Sequence, residues 1–331
     1  MKCNNMPRNA NGKKLSESWK KLHEYKKIDL NKKEDKAHNL LNSILSKHKN
    51  PIICWSGGKD STVVLHLTLK HIPDIRVIHV DTGVLFPETN NFVKKLSKKW
   101  NLNIEIMKNN DIDFWTIVDK YGWPIFGKNI SCNVGRAIRT GNIRNKLSTF
   151  EKILANNNVR LSMKCSEYLL EIPTKVAEKE YNADLKIIGI RALESRARVR
   201  LWSDYGDYYY VKRYYKRNHG IWKFSPISTW LEKDIWKYNK KYEIPHCKLY
   251  DLGYRRNGCW TCAMAIRNGQ LNLLKNTHPD LYNHLIKNTD MGKEIYKAYK
   301  AIVNNNKNIG FKLDFLESII KDMNNINLTE N

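Results

Sequence analysis

Three short apolar runs, Ile52 to Trp55, Arg76 to Val80 and Asn103 to Met107, alternate with two segments of helical spacing, Ser61 to Lys70 and Glu88 to Trp100. Runs this short are strands rather than helices, and a helix between each pair predicts crossover connections instead of hairpins. Such alternation builds parallel βαβ units. After a looser, basic stretch from Lys128 to Lys164, which includes Arg136, Arg139, Arg144, Lys146, Lys152 and Arg160, a helix from Thr174 to Tyr181 precedes a further apolar run, Leu185 to Ile190. That run is expected to rejoin the sheet. The expected fold is α/β, a doubly wound and mostly parallel sheet with a helical C-terminal region.

The first strand-to-helix junction reads Cys54-Trp-Ser-Gly-Gly-Lys-Asp-Ser61. Gly57 and Gly58 allow a sharp turn and bring backbone N–H groups against an anion without Cβ interference, while the opening helix adds positive potential. Lys59 contributes a full charge, and Ser56, Ser61 and Thr62 contribute hydroxyl donors. The spacing differs from the Walker pattern, which has four residues between its glycines and ends in Gly-Lys-Ser/Thr. Asp81, at the end of the second strand in His79-Val-Asp-Thr-Gly83, falls at the same sheet edge, where open α/β sheets bind their ligands. Gly189 to Arg198 follows the later strand with Arg191, Arg196 and Arg198. Guanidinium groups grip phosphate or sulfate through paired hydrogen bonds, so Arg191 and Arg198 are candidate oxyanion clamps, the other reading being internal Glu–Arg pairing.

Ser-Gly-Gly-Lys-Asp-Ser resembles the PP-loop of ATP pyrophosphatases, the adenine nucleotide α-hydrolases. Ser56 to Ser61, His79 to Thr89, Lys164-Cys165, Gly189 to Arg198, Pro226 to Trp236 and Leu249 to Cys262 occur in the order seen in the phosphoadenosine phosphosulfate (PAPS) reductase family, so that the resemblance spans residues 50 to 265. It implies a Rossmann-like PP-loop domain that binds ATP or PAPS, with Mg2+ as an option, and an enzyme acting in sulfur transfer or adenylyl activation. By position, Ser56, Gly57, Gly58, Lys59, Asp60 and Ser61 would hold phosphates, Asp81, Thr82 and Gly83 would lie near the nucleotide, and Lys59, Asp60, Arg191 and Arg198 would serve catalysis. Reductases of this family carry a catalytic cysteine near the C-terminus, whereas no cysteine follows Cys262 here. Reduction through such a thiol is not expected.

Cys259-Trp-Thr-Cys262 resembles the Cys-x-x-Cys with which some members hold an iron–sulfur cluster. Cys165 stands where they carry an earlier cysteine pair, and Cys247 or Cys132 would supply a fourth thiolate. Four thiolates suit a [4Fe–4S] cluster or Zn2+. The odd number of cysteines, seven, argues against a disulfide framework.

The 331 residues carry 58 basic and 33 acidic side chains, a net charge of +25, which favours polyanionic partners. Tyr208 to Arg217 interleaves rings and cations, as a nucleic-acid surface or a half-buried hairpin strand does. DNA phosphorothioation or tRNA thiolation, and a binding protein without turnover, are the alternative functions. A sulfur-donor protein is a further candidate partner. The polar start of the chain and the lack of a long apolar run predict a cytoplasmic protein without membrane contact. The expected organisation is a helical extension over residues 1–48, the nucleotide-binding domain over 49–230 and a helical region with the Cys-x-x-Cys loop over 231–323.

Overall fold

The computed structural model of the chain describes residues 12–142, 147–212, 220–264, 266–305, 316–317 and 319–322. Most of the basic hairpin, from Arg213 to His219, and also Cys3, Arg144 and Lys146 lie outside the described residues. In chain order, α1 (Gly12–Tyr25) and α2 (Leu30–Leu45) lead into β1 (Pro51–Cys54), α3 (Lys59–Leu69), β2 (Arg76–Val80), α4 (Pro87–Lys99) and β3 (Ile104–Met107). There follow α5 (Phe114–Tyr121), α6 (Lys128–Thr140), α7 (Thr149–Asn156), the single turn α8 (Lys164–Ser166), a π-helical turn Glu167–Glu171 and α9 (Ile172–Glu180). Then come β4 (Leu185–Ile188), α10 (Arg196–Tyr205), β5 (Tyr208–Val211), β6 (Ile221–Phe224), α11 (Glu232–Lys241), α12 (Gln270–Thr277), α13 (Pro279–Lys287) and α14 (Asp290–Val303).

The sheet is six-stranded in the order β3-β2-β1-β4-β6-β5. All neighbours pair in parallel except β5, which runs antiparallel to β6 at the edge. Because both faces are covered, the strands read as nearly continuous apolar runs. Ile53, Trp55, Val77, Leu185, Ile187 and Phe224 pack with α2, α3, α4 and α11 in one core, whereas Ile52 and Ile78 meet Ala177 of α9 on the other face. The expected α/β, mostly parallel sheet is thus observed. The fourth strand ends two residues sooner than expected, because Ile190 bonds through its backbone N–H and C=O to the Ser225 hydroxyl instead of a neighbouring strand. At the edge, Tyr208 stacks on Trp222 with centroids 4.3 Å apart, so at least this ring of the tyrosine run serves strand packing.

The chain divides into two compact units, each discontinuous in sequence. The first, residues 1–81, 87–108 and 172–251, holds the sheet. The second, residues 82–86, 109–171 and 252–331, holds α5 to α8, α12 to α14 and the Cys-x-x-Cys loop. Its layout differs from the three contiguous segments expected: residues 109–171 leave the sheet and return, and residues 231–251 stay with the sheet. The physical reason for the latter is burial, since Ile235 and Tyr238 of α11 complete the sheet's core. In the second unit a capping box starts α7: the Glu151 N–H donates to the Ser148 hydroxyl at 3.3 Å, and the Ser148 N–H donates to the Glu151 carboxylate at 2.8 Å. Ser148→Ala is expected to cost about 1 kcal/mol in a denaturant titration.

Among the described residues no helix is long and apolar enough to cross a membrane.

Candidate functional site

In the first unit, β1 sits between β2 and β4, so the direction of strand succession reverses between β1 and β4. Cys54 pairs with Ile188, so both strands end at one level. A crevice outside the carboxyl ends of two such strands is where open α/β sheets take a ligand. Two of the segments singled out from sequence arrive there: Ser56 to Ser61 after β1, and Gly189 to Arg198 after β4.

The loop turns at Gly57, whose φ of 73° suits glycine, and Gly58 caps α3 in an extended conformation. The hydroxyls of Ser56 and Ser61 lie 3.0 Å apart; the Ser56 N–H donates to Ser61 Oγ, and the Gly58 N–H donates to Ser56 Oγ. The Ser61 and Thr62 hydroxyls both donate to the Gly58 carbonyl at 2.9 Å. These bonds hold the loop rigid while the first turn of α3, whose N–H groups lack intrahelical acceptors, faces outward from the helix end. Below it, Trp55 Nε1 bonds Thr62 Oγ1 at 3.0 Å, and His79 Nδ1 meets the Trp55 carbonyl at 2.9 Å. Burial holds the His79 imidazole below its ordinary pKa, so its neutral form ties the end of β2 to the loop.

Lys59 is only 4% exposed, with its ammonium 3.2 Å from Glu232, 3.7 Å from Asp60 and 4.9 Å from the centre of the Tyr250 ring. The Lys59 N–H donates to the Tyr250 hydroxyl at 2.9 Å. Asp60 also pairs with Arg191 Nε. Arg191 lies 3.7 Å from Glu194, which in turn pairs with Arg198. The two arginines therefore engage carboxylates of the unit, which is the internal pairing weighed beside the clamp. Asp81 donates its backbone N–H to the Met107 carbonyl at the end of β3. A glycine loop at a helix N-terminus, with the Lys59 ammonium beside it and each cation facing a carboxylate, can bind a phosphate chain and stabilise charge that develops on it.

Glu232 and Tyr250 lie within the segments Pro226 to Trp236 and Leu249 to Cys262, but only tertiary packing shows that they reach Lys59. Gly189 was read as part of the arginine segment, but its role is steric: a Cβ there would stand 2.7 Å from the Ser61 backbone N and Cα and 3.0 Å from the Asp60 carbonyl carbon.

Thr82 and Gly83 belong to the second unit, although they follow Asp81 in the chain. The Thr82 hydroxyl lies 3.2 Å from Cys259 Sγ, and Leu85 bridges to Cys259 in antiparallel fashion. Cys165, far away in sequence, is close enough to Cys262 and Cys259 to feel both. Burial, then those two neighbours, push its thiol up to about 12. Burial also raises Cys262. Cys132 lies on α6 of the same unit. Cys247 is counted with the first unit, fully buried, with its sulfur 3.9 Å from the Thr89 hydroxyl.

Among the described residues no group of three or more His, Cys, Asp or Glu side chains has the arrangement that holds a metal ion. A [4Fe–4S] cluster or Zn2+ is held by about four ligands; Cys165, Cys259 and Cys262 lie near one another in this unit, whereas Cys247 is counted with the first unit. Because the raised pKa favours the thiol in the folded state, its contribution to stability is complete below the unfolded value near 9 and is lost as pH rises towards 12. Alkylation of native Cys165 is expected to stay slow at pH 8 and to accelerate on unfolding, as peptide mapping after iodoacetamide treatment would report; fast labelling of the native protein would contradict the burial.

Loop, switch point and strand order define an α/β protein of the PP-loop adenine nucleotide α-hydrolase type. Residues 50–265 match the model of the phosphoadenosine phosphosulfate reductase domain, and the chain belongs to that family. An uncharacterized protein of Methanocaldococcus jannaschii is 30% identical over 281 residues, 80% of this chain and 56% of its own length. A second from the same organism is 30% identical over 75% of this chain and 43% of its own length, so the chain spans about half of these relatives. The phosphoadenosine 5'-phosphosulfate reductase of Buchnera aphidicola is 30% identical over 62% of this chain and 68% of its own. A crystal structure of the PAPS reductase of Candida auris covers 68% of this chain and 88% of its own, with 18% identity and a TM-score of 0.45.

Proposed function

We propose that the first unit binds an adenine nucleotide, ATP or PAPS, at the loop Ser56 to Ser61, and that the protein is an enzyme using it in sulfur transfer or adenylyl activation. One observation carries the reading: a rigid glycine loop opens α3 at the β1–β4 switch point with the buried Lys59 ammonium beside it. Family membership supports the adenine nucleotide over other phosphates.

With ATP, an acceptor oxygen attacks the α-phosphorus, the bond from that phosphorus to the bridging oxygen breaks, and pyrophosphate leaves with the electron pair. Lys59 and the N–H groups of the loop neutralise the charge on the leaving group. Arg191 holds Asp60 in place, while Mg2+ would accompany the phosphates. A sulfur nucleophile, delivered by a donor protein, then displaces the adenylate from the activated acceptor. With PAPS, the same groups bind the phosphates and an external thiol, losing its proton, attacks the sulfur; the bond from sulfur to the phosphate oxygen breaks, adenosine bisphosphate leaves with the electron pair, and the sulfo group stays on the thiol sulfur.

Incubation with ATP or PAPS, with and without DNA or tRNA as acceptor, tests the reading through release of pyrophosphate, AMP or adenosine bisphosphate. ATP- or PAPS-dependent product is expected. Absence of both turnover and binding would sink it.

A further inference from the structure

The basic stretch between residues 128 and 164 takes no part in the glycine loop, and in the second unit it helps to build a site of its own. A cavity of about 230 Å³ is lined by Lys120, Tyr121, Arg139, Asn158 and Arg160, with Gly135, Ile138 and Leu161 beneath them. Two close approaches make it. A Cβ on Gly122, at the end of α5, would stand 2.5 Å from the Arg160 carbonyl group, and one on Gly135, in α6, would stand 2.1 Å from the Leu161 carbonyl oxygen. Only glycine allows the 160–161 backbone to lie between these helices, and this brings together three cations distant in sequence.

The cations are poorly matched. Among the described residues, no carboxylate forms an ion pair with Lys120, Arg139 or Arg160. Glu294, the carboxylate recorded at this segment, accepts the Arg160 backbone N–H at 2.8 Å. The Arg160 guanidinium is oriented by the carbonyls of Val118 and Asp119 at the end of α5, which leaves its charge uncancelled. Lys297 adds a further cation through its bond to the Asn158 carbonyl at 2.8 Å. Tyr121 lines the cavity too, its hydroxyl 3.3 Å from that of Tyr168. Like charges held together in this way repel, and a multivalent oxyanion relieves the repulsion.

We propose that this cavity is a second oxyanion site that takes a phosphate group, distinct from the glycine loop and independent of the nucleotide reading. Two guanidinium forks and an ammonium match the oxygens of a phosphate, which offers paired acceptors on each face. At roughly 30 Å³ per water, the space holds a phosphate with its nearest waters but no base stack, so the group enters as a phosphate end or as one link of a backbone.

Lys120 and Arg139 are exposed, so their replacement leaves the core intact. The test uses the full chain carrying Lys59→Ala, which weakens the glycine loop as a competing phosphate site. Inorganic phosphate is titrated by 31P line broadening, and a fluorescein-labelled single-stranded DNA 20-mer by anisotropy across a potassium chloride series. Adding Lys120→Gln with Arg139→Gln is expected to weaken phosphate binding about tenfold or more. If the log–log salt slope for the DNA also falls, by about 0.7 per lost contact and about 1.4 for both, the phosphate is that of a nucleic-acid backbone. Loss in the inorganic phosphate arm alone makes it that of a small phosphate compound. Unchanged binding in both arms overturns the site, and so does an equal loss on Arg139→Lys with Lys120→Arg, which keeps the charges. ATP titration of the Lys120→Gln, Arg139→Gln chain with Lys59 intact should remain as in the native protein, which separates this site from the first.

Discussion

Lys59→Ala is expected to slow ATP- or PAPS-dependent turnover by about 10²- to 10³-fold, the loss seen when one preorganised group facing developing charge is removed. Nucleotide affinity is expected to fall at least about tenfold as well, since a charge-assisted bond to phosphate contributes roughly 1.5 to 3 kcal/mol. The fold should survive. Asp60 keeps Arg191 as its partner, and the Glu232 carboxylate, 58% exposed, returns to water. A far-ultraviolet spectrum and a thermal transition like those of the native protein would establish this. Unchanged dissociation constants for ATP and for PAPS in a folded variant would remove Lys59 from the site.

The second large effect comes from a residue without functional groups. At Gly189 the chain leaves β4 and crosses the first turn of α3, and the atoms facing an added methyl are backbone atoms of Asp60 and Ser61. Backbone in a helix turn fixed by the Gly58 hydrogen bonds cannot swing aside as a lysine tip could. Gly189→Ala is therefore expected to destabilise the protein by about 1 to 3 kcal/mol. Displacement of the Asp60–Ser61 turn is expected to weaken nucleotide binding by more than the fraction unfolded explains. Calorimetric titration well below the melting transition separates the two contributions. Native affinity in the Gly189→Ala chain would show that the loop tolerates the shift.

The parts of this account that were legible in the sequence are local ones. Ile52 to Trp55, Arg76 to Val80 and the helices beside them announce themselves by period and length, and Gly57-Gly58-Lys59 states its turn chemistry in three letters. The order of the strands was legible only in outline. That β4 lies beside β1 follows from crossover topology, in which the long excursion through residues 109–171 counts for little. What stayed hidden depends on contacts between distant segments. Tyr250 and Glu232 lie in segments of the resemblance, yet their convergence on Lys59 is set by packing alone, Gly189 matters for what it lacks, and Cys247 was grouped with the other cysteines by residue type while its surroundings are those of the first unit. Arg191 and Arg198 were read by their chemistry, with internal Glu–Arg pairing weighed beside it, but that Asp60 pairs with Arg191 was found only in the folded chain. The expected segments were contiguous in sequence, and only packing reveals that Thr82 to Phe86 and residues 109–171 belong with the Cys-x-x-Cys loop.

The central claim is that backbone donors of the glycine loop hold the phosphates, and amide hydrogen exchange reads those donors directly. Deuterium uptake of peptides covering Ser56 to Thr62 should be measured with no nucleotide, with ATP and with PAPS, together with peptides from the second unit. Slower exchange at Asp60 and Ser61, on the first turn of α3, on addition of either nucleotide, abolished by Lys59→Ala, is the predicted result. Protection that appears elsewhere with exchange at Asp60 and Ser61 unchanged would contradict the account.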